Sequence, residues 1–267
     1  MKLQDKVVVV TGGGNGIGRH LVLEGLRRGA RVGAVDVRQE SLDETVGLGN
    51  AGDRIATYVV DITDREATSA LPARVAADLG EADGLINNAG IIQPFVKLND
   101  LEFEVIERVM NVNFYGTVNM VKAFLPGLLT RPVAHVANVS SMGGFLPVPG
   151  QTFYGASKAA VKLLTEGLYA ELLETKVGVS VIMPGAIGTE ITKNSGVEMP
   201  AMDIDPEEAT RRTTPPDEAA RIILDGIEDD QLHIYVGRDS LTMNIFNRVA
   251  PKQATKLISR RMKNLLG

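Results

Sequence analysis

Val7-Val8-Val9-Val10-Thr11-Gly12-Gly13-Gly14-Asn15-Gly16-Ile17-Gly18 decides how the rest of the chain is read. Four consecutive valines without polar alternation describe a strand covered on both faces. The glycines after it allow a sharp turn, and Ile17, Leu21, Val22 and Leu26 then recur at helical spacing. A strand feeding a glycine turn that opens a helix presents free backbone N–H groups to an anion such as a pyrophosphate. The spacing is T-G-x(3)-G-x-G. It is not the G-x-G-x-x-G of other dinucleotide sites. Nor is it T-G-x-x-G-x-x-G, because Asn15 stands where a glycine would be needed, and there is no Walker lysine.

Outward from this turn, short Val- and Ile-rich runs alternate with helix-length segments. Residues 7–11, 31–36, 54–61, 84–87, 134–140, 178–183 and 233–236 read as seven strands. Helical patterns cover about 65–79, 101–129, 153–175 and 217–227. Sustained alternation predicts an α/β fold, a doubly wound, parallel, seven-stranded sheet of Rossmann type with helices on both faces. Ligands of such sheets bind beyond the carboxyl ends of the strands. No repeat or linker divides the chain, so 1–267 reads as one domain. Within it, 186–216 carries four prolines and reads as a substrate lid.

Composition narrows the function. The net charge of -5 gives no sign of a nucleic-acid partner. The absence of cysteine removes disulfides, thiolate metal sites and cysteine nucleophiles, and no metal site is read. No leader segment and no run of membrane-spanning length is visible, which points to the cytoplasm. The C-terminal extension 238–267 is basic, with six Lys/Arg and no acid after Ser240, and Ile258, Met262, Leu265 and Leu266 at helical spacing. It reads as a helix packed on its own domain or a sister subunit, with a membrane surface as the alternative.

The strand ends carry further candidates. Asp36 closes the second strand, where a carboxylate accepts hydrogen bonds from an adenosine ribose and repels a 2′-phosphate. Asn15 adds no positive charge for such a phosphate, so NAD is expected over NADP; Arg38, two residues on, complicates the choice. Asp61-Ile62 closes the third strand, and Asn87-Asn88-Ala89-Gly90 the fourth, with small residues against the adenosine and amides able to tie strands together.

Tyr154-Gly155-Ala156-Ser157-Lys158 places a phenol and an ammonium four residues apart, on one helix face. Carbonyl reduction needs a proton donor beside the oxygen, and alcohol oxidation needs a base. Free tyrosine, with a pKa near 10, is a poor base at neutral pH. A neighbouring ammonium and an oxidised nicotinamide both favour the phenolate. A shift of roughly 3 units corresponds to about 4 kcal/mol. The strand ending in Ser140-Ser141 lies one loop earlier.

In this order and spacing, from about residue 3 to 189, the chain resembles the compact short-chain dehydrogenase/reductase family. The resemblance implies Tyr154 as general acid/base, with Lys158 binding the nicotinamide ribose and lowering the pKa of the phenol. Ser141 would hydrogen-bond the substrate oxygen. Of Asn111 and Asn113, the family pattern N-x-x-G selects Asn113, whose backbone would hold a water leading to Lys158. Pro184-Gly185-Ala186-Ile187-Gly188-Thr189 looks like the family's P-G-x-x-x-T element, with the Ile187 backbone and Thr189 hydroxyl against the carboxamide. Cofactor contacts are thus expected at Gly12, Asn15, Gly16, Ile17, Gly18, Asp36, Asp61, Ile62, Asn88, Ala89, Gly90, Tyr154, Lys158, Pro184, Gly185, Ile187 and Thr189. Pairing of copies through helices 101–129 and 153–175 is the family expectation. Tetramer assembly is in doubt, because Tyr235-Val236-Gly237-Arg238-Asp239 replaces the usual Val-Asp-Gly-Gly-like turn.

Pocket walls are expected from Gln93, Phe95, Met142, Phe145, Leu146, Phe153, Ile191, Met199 and Met202, an apolar set without an arginine clamp. This predicts an oxidoreductase acting on a secondary alcohol or ketone with a hydrophobic skeleton. Two alternatives stay open: a redox-inactive NAD-binding sensor or scaffold, and a lipid or steroid dehydrogenase held at a membrane surface.

Overall fold

The computed structural model describes residues 1–189, 191–198 and 213–262. About half of the expected lid, with Met199 and Met202, lies outside these residues, as do Leu265 and Leu266.

Seven strands form one parallel sheet: β1 (Val7–Thr11), β2 (Arg31–Asp36), β3 (Ile55–Val59), β4 (Gly84–Asn87), β5 (Ala134–Val139), β6 (Val177–Pro184) and β7 (His233–Val236). Their order is β3-β2-β1-β4-β5-β6-β7, and every pairing is parallel. The valines of β1 show why both faces are apolar. Val8 and Val10 point to one face, where Leu21, Val22 and Leu26 of α1 (Gly16–Arg27) pack with Ile223 and Leu224 of α8 (Pro216–Glu228). Val7 and Val9 point to the other. There they meet α3 (Arg65–Leu79), α5 (Thr117–Leu128) and α6 (Thr152–Leu172) through Leu71, Val75, Met120, Phe124 and Leu168. A period of two therefore feeds two cores at once.

Three elements differ from the sequence reading. The third strand is shorter than 54–61. A helix, α2 (Gln39–Gly49), follows β2 although only Leu42 and Thr45 of it are buried. The long helix expected over 101–129 is α4 (Phe103–Met110) and α5, joined by one wide turn of π-helix, Asn111–Gly116. Within 101–129 and 153–175, the segments expected to pair copies, Phe103 of α4, Leu163 of α6 and Leu173 just after α6 are exposed.

The extension forms two helices, α9 (Arg238–Val249) and α10 (Pro251–Arg261). Ala254 and Ile258 of α10 are buried against Leu146, and Met142, Phe145, Met243, Phe246 and Met262 complete this small cluster. Asn247 Nδ2 donates to the Phe145 carbonyl, 2.8 Å away. A short helix, α7 (Ile191–Ser195), follows β6. Among the described residues no helix is long and apolar enough to cross a membrane.

Candidate active site

The strand order reverses between β1 and β4, which opens a crevice at their carboxyl ends. The edges of that crevice are braced by side chains. Thr11 Oγ1 accepts from the Asn88 and Ala89 amides at 3.0 and 3.1 Å, and Asn88 Nδ2 donates to the Thr11 carbonyl at 3.0 Å. Asn87 Nδ2 ties β4 to β5 through Asn138 Oδ1 at 2.8 Å. The cleft above has a volume of about 480 Å³, within the usual range of small-molecule sites.

Of the residues singled out from sequence, Gly12, Asn15, Gly16, Ile17, Asp36, Asp61, Ile62, Asn88, Ala89, Gly90, Ser141, Tyr154, Lys158, Pro184, Gly185, Ile187 and Thr189 line this one cleft. Gly18 and Asn113 do not line it, and each stands behind it. Gly12 has φ +68°, a left-handed conformation that favours glycine. A Cβ at Gly18 would overlap the Gly12 carbonyl oxygen and lie 2.5 Å from Asn88 Nδ2. The glycine turn therefore folds back directly onto its own helix start. Asp36 steadies it, with Oδ2 accepting from the Gly14 amide at 3.0 Å. This open cradle of backbone N–H groups, with no side chain filling it, fits the diphosphate of a dinucleotide.

Asn113 lies in the wide turn between α4 and α5 and is fully buried. Its Oδ1 accepts from the Ile91 amide at 2.8 Å, while Nδ2 donates to the Ile91 carbonyl and to Ser157 Oγ, both at 2.9 Å. Thr117 Oγ1 donates to the Asn113 carbonyl at 2.9 Å. A carbonyl has two lone pairs, and Thr117 takes one of them on this oxygen.

Tyr154 and Lys158 share a face of α6, as an i,i+4 pair must. Lys158 Nζ donates to the Val139 carbonyl at 2.9 Å, and burial pulls its pKa down to about 8. Tyr154 differs from the sequence expectation of a lowered pKa. Burial of the phenol raises it, and the hydrogen bond with Ser141 only partly opposes this. Desolvation of the anion outweighs the one polar neighbour that acts on it. Ser141 Oγ also accepts from the Gly143 amide at 3.0 Å, which fixes the hydroxyl toward the phenol's side of the loop.

Of the pocket-wall residues expected from sequence, Ile191 lines the cleft, whereas Gln93, Phe95, Met142, Phe145, Leu146 and Phe153 do not. Gln93, expected in a pocket wall, is buried, and its Oε1 accepts from the Phe153 and Tyr154 amides at 2.8 and 3.0 Å. It caps the start of the helix that carries Tyr154. Leu146 likewise belongs to the cluster under α10. Ser157, not singled out, donates to the Tyr154 carbonyl at 2.7 Å and accepts from Asn113. Arg108 and Asn194 line the cleft without having been foreseen, and Arg38 Nη2 donates to Asn194 Oδ1 at 3.1 Å. Asn194 meets Arg38 across 156 positions, so no local spacing points to it. Among the described residues, no group of three or more His, Asp or Glu is placed to hold a metal ion.

The profile of the short chain dehydrogenase family matches residues 6–199. The chain is a short-chain dehydrogenase/reductase. Members of this family are oxidoreductases that bind a nicotinamide cofactor. SadH of Mycobacterium tuberculosis, a protein assigned to the oxidoreductases, is 34% identical to this short-chain dehydrogenase over 262 residues, 96% of the chain and 95% of SadH. The 1-deoxy-11-beta-hydroxypentalenate dehydrogenase of Streptomyces avermitilis is 33% identical over 247 residues, 91% of the chain and 88% of the relative. A Burkholderia phymatum short chain dehydrogenase/reductase, solved in complex with NAD, superposes with a TM-score of 0.85 at 25% identity, covering 95% and 96% of the two chains. One from Burkholderia cenocepacia, solved with NADP, gives 0.79 at 28% identity over 98% and 99%.

Proposed function

We propose that the protein catalyses reversible, NAD-linked hydride transfer between a hydrophobic secondary alcohol and its ketone. One observation carries this reading: Tyr154, Ser141 and the buried Lys158 open onto the same cleft as Asp36 and the glycine turn. A bound nicotinamide would take the hydride from the carbinol carbon, or return it to the carbonyl carbon. In the oxidation direction the Tyr154 phenolate takes the hydroxyl proton as the carbon loses hydride. In reduction the phenol gives that proton back to the carbonyl oxygen. Ser141 holds the substrate oxygen beside it. Lys158 has three donors, of which one meets Val139, leaving two for a ribose. Asn113 and Ser157 hold the segment at Ile91 against the Tyr154 turn of α6.

Two observations support NAD. The Asp36 carboxylate stands at the end of β2 in the cleft, where it would repel a 2′-phosphate. Arg38, the one nearby cation that could offset it, is engaged by Asn194 and lies 4.0 Å from Asp36. Asp36→Asn keeps an acceptor for the Gly14 amide while removing the charge. It is expected to cut the NAD/NADP ratio of kcat/KM by about 10- to 100-fold, equal to about 1.4–2.8 kcal/mol. An unchanged ratio would show that Asp36 does not reach the ribose.

The apolar substrate is supported by Ile91, Val112 and Ile191, which line the cleft. The relative named for 1-deoxy-11-β-hydroxypentalenate likewise takes a hydroxylated substrate. A panel of hydrophobic secondary alcohols with NAD tests the reading directly. Because the raised pKa of Tyr154 leaves little phenolate at neutral pH, oxidation is expected to be faster at about pH 9 than at pH 7. Below that pKa the phenolate fraction gains tenfold per pH unit, whereas ketone reduction draws on the phenol and gains nothing from alkali. No turnover of any panel member with either cofactor would sink the proposal.

A further inference from the structure

We propose that Asp239, in the first turn of α9, is a positioning residue for the nicotinamide half of the cofactor, acting through the backbone of the turn after β6. The inference rests on the reading of 184–189 as the nicotinamide-contacting turn.

That turn leaves the sheet at Pro184 and contributes Pro184, Gly185, Ile187 and Thr189 to the cleft. Most of its supports are backbone groups. The Gly185 amide donates to the Val236 carbonyl at 2.9 Å, the Thr214 amide to Ala186 at 2.9 Å, and the Gly188 amide to Thr214 at 3.1 Å. The amide of Ala186 instead donates to Asp239 Oδ2, 2.9 Å away. The next residue, Ser240, is fully buried and donates its hydroxyl to the Met183 carbonyl at 2.7 Å. Asp239 and Ser240 therefore fasten the end of β6 to the start of α9 on both sides of Pro184.

Close packing makes the contact specific. A Cβ at Gly185 would overlap both carboxylate oxygens of Asp239. Gly237, with φ +90°, swings the chain so that Asp239 lies against it. Asp239 itself does not line the cleft, so it acts through the turn and not on the ligand. The contacts expected for adenosine and diphosphate come from the glycine turn and from the ends of β2, β3 and β4. Loosening the Ala186 amide should therefore disturb one end of the dinucleotide and spare the other.

The full chain with Asp239→Ala, titrated with NADH and with ADP-ribose, which has no nicotinamide, tests this. NADH affinity is expected to fall about tenfold, the scale of one hydrogen bond to a charged carboxylate, while ADP-ribose affinity changes by less than about twofold. Asp239→Asn, which keeps an acceptor oxygen, should restore NADH binding. Gly185→Ala displaces the carboxylate from the other side and should reproduce the selective loss if Asp239→Ala does not fold. An equal fall for both ligands, or none for either, would overturn the proposal. Wild-type protein that bound neither ligand would instead overturn the NAD-linked function on which it rests.

Discussion

Tyr154→Phe lowers turnover by at least about a thousandfold, the scale at which a positioned general acid/base acts. Only the hydroxyl is removed, so the ring keeps its place on α6. The two amide bonds from Gln93 and the Ser157 bond that hold the turn of helix at Tyr154 involve backbone atoms and survive. Ser141 Oγ loses one partner but retains the Gly143 amide. NADH affinity is therefore expected within about threefold of wild type, under 1 kcal/mol. Steady-state rates and a fluorescence titration on one preparation separate the two effects. A variant that kept substantial turnover would show that another group moves the proton.

Gly18→Ala abolishes measurable NADH binding and lowers the thermal midpoint. The added methyl would collide with the Gly12 carbonyl and with Asn88 Nδ2, which braces β1 to β4. The turn has little room to retreat. The Gly13 amide is bonded to the Val35 carbonyl and the Gly14 amide to Asp36, both at 3.0 Å. Overpacking of this kind costs about 1–3 kcal/mol. For a chain of this size that is a fall of roughly 2–12 °C. Gly127→Ala is the matched control. Gly127 is an exposed position in α5 with nothing within 4 Å of an added Cβ, and alanine there should gain about 0.5–1 kcal/mol. Wild-type NADH binding by Gly18→Ala would mean that the glycine turn is not the diphosphate cradle.

The features legible from sequence are those written in consecutive residues. Four valines, a glycine turn and the next helical stripe need no distant partner to be recognised, and the same holds for Tyr154 and Lys158 on one helix face. Features that depend on distant partners were not legible. Gln93 reads as a wall residue until its amide is seen at the start of α6, 60 residues later. Arg38 meets Asn194 across 156 positions. The wide turn around Asn113 adds a single residue to a helical period, so its pattern passes for one continuous helix. Helix α2 was overlooked because it buries only one side chain of the kind that marks an apolar stripe, Leu42. The direction of the Tyr154 shift depends on how thoroughly the phenol is desolvated, which residue spacing does not encode.

The cluster that joins α10 to the loop after Ser141 has a bearing on biogenesis. Met142, Phe145 and Leu146 leave the ribosome roughly a hundred residues before Ala254 and Ile258, an interval of about 5–20 s at ordinary elongation rates. Throughout that interval the newly made loop after Ser141 presents an uncovered apolar surface. Nascent chains stalled before α10, and messages truncated there, carry that surface permanently, whereas completing the last two helices seals it.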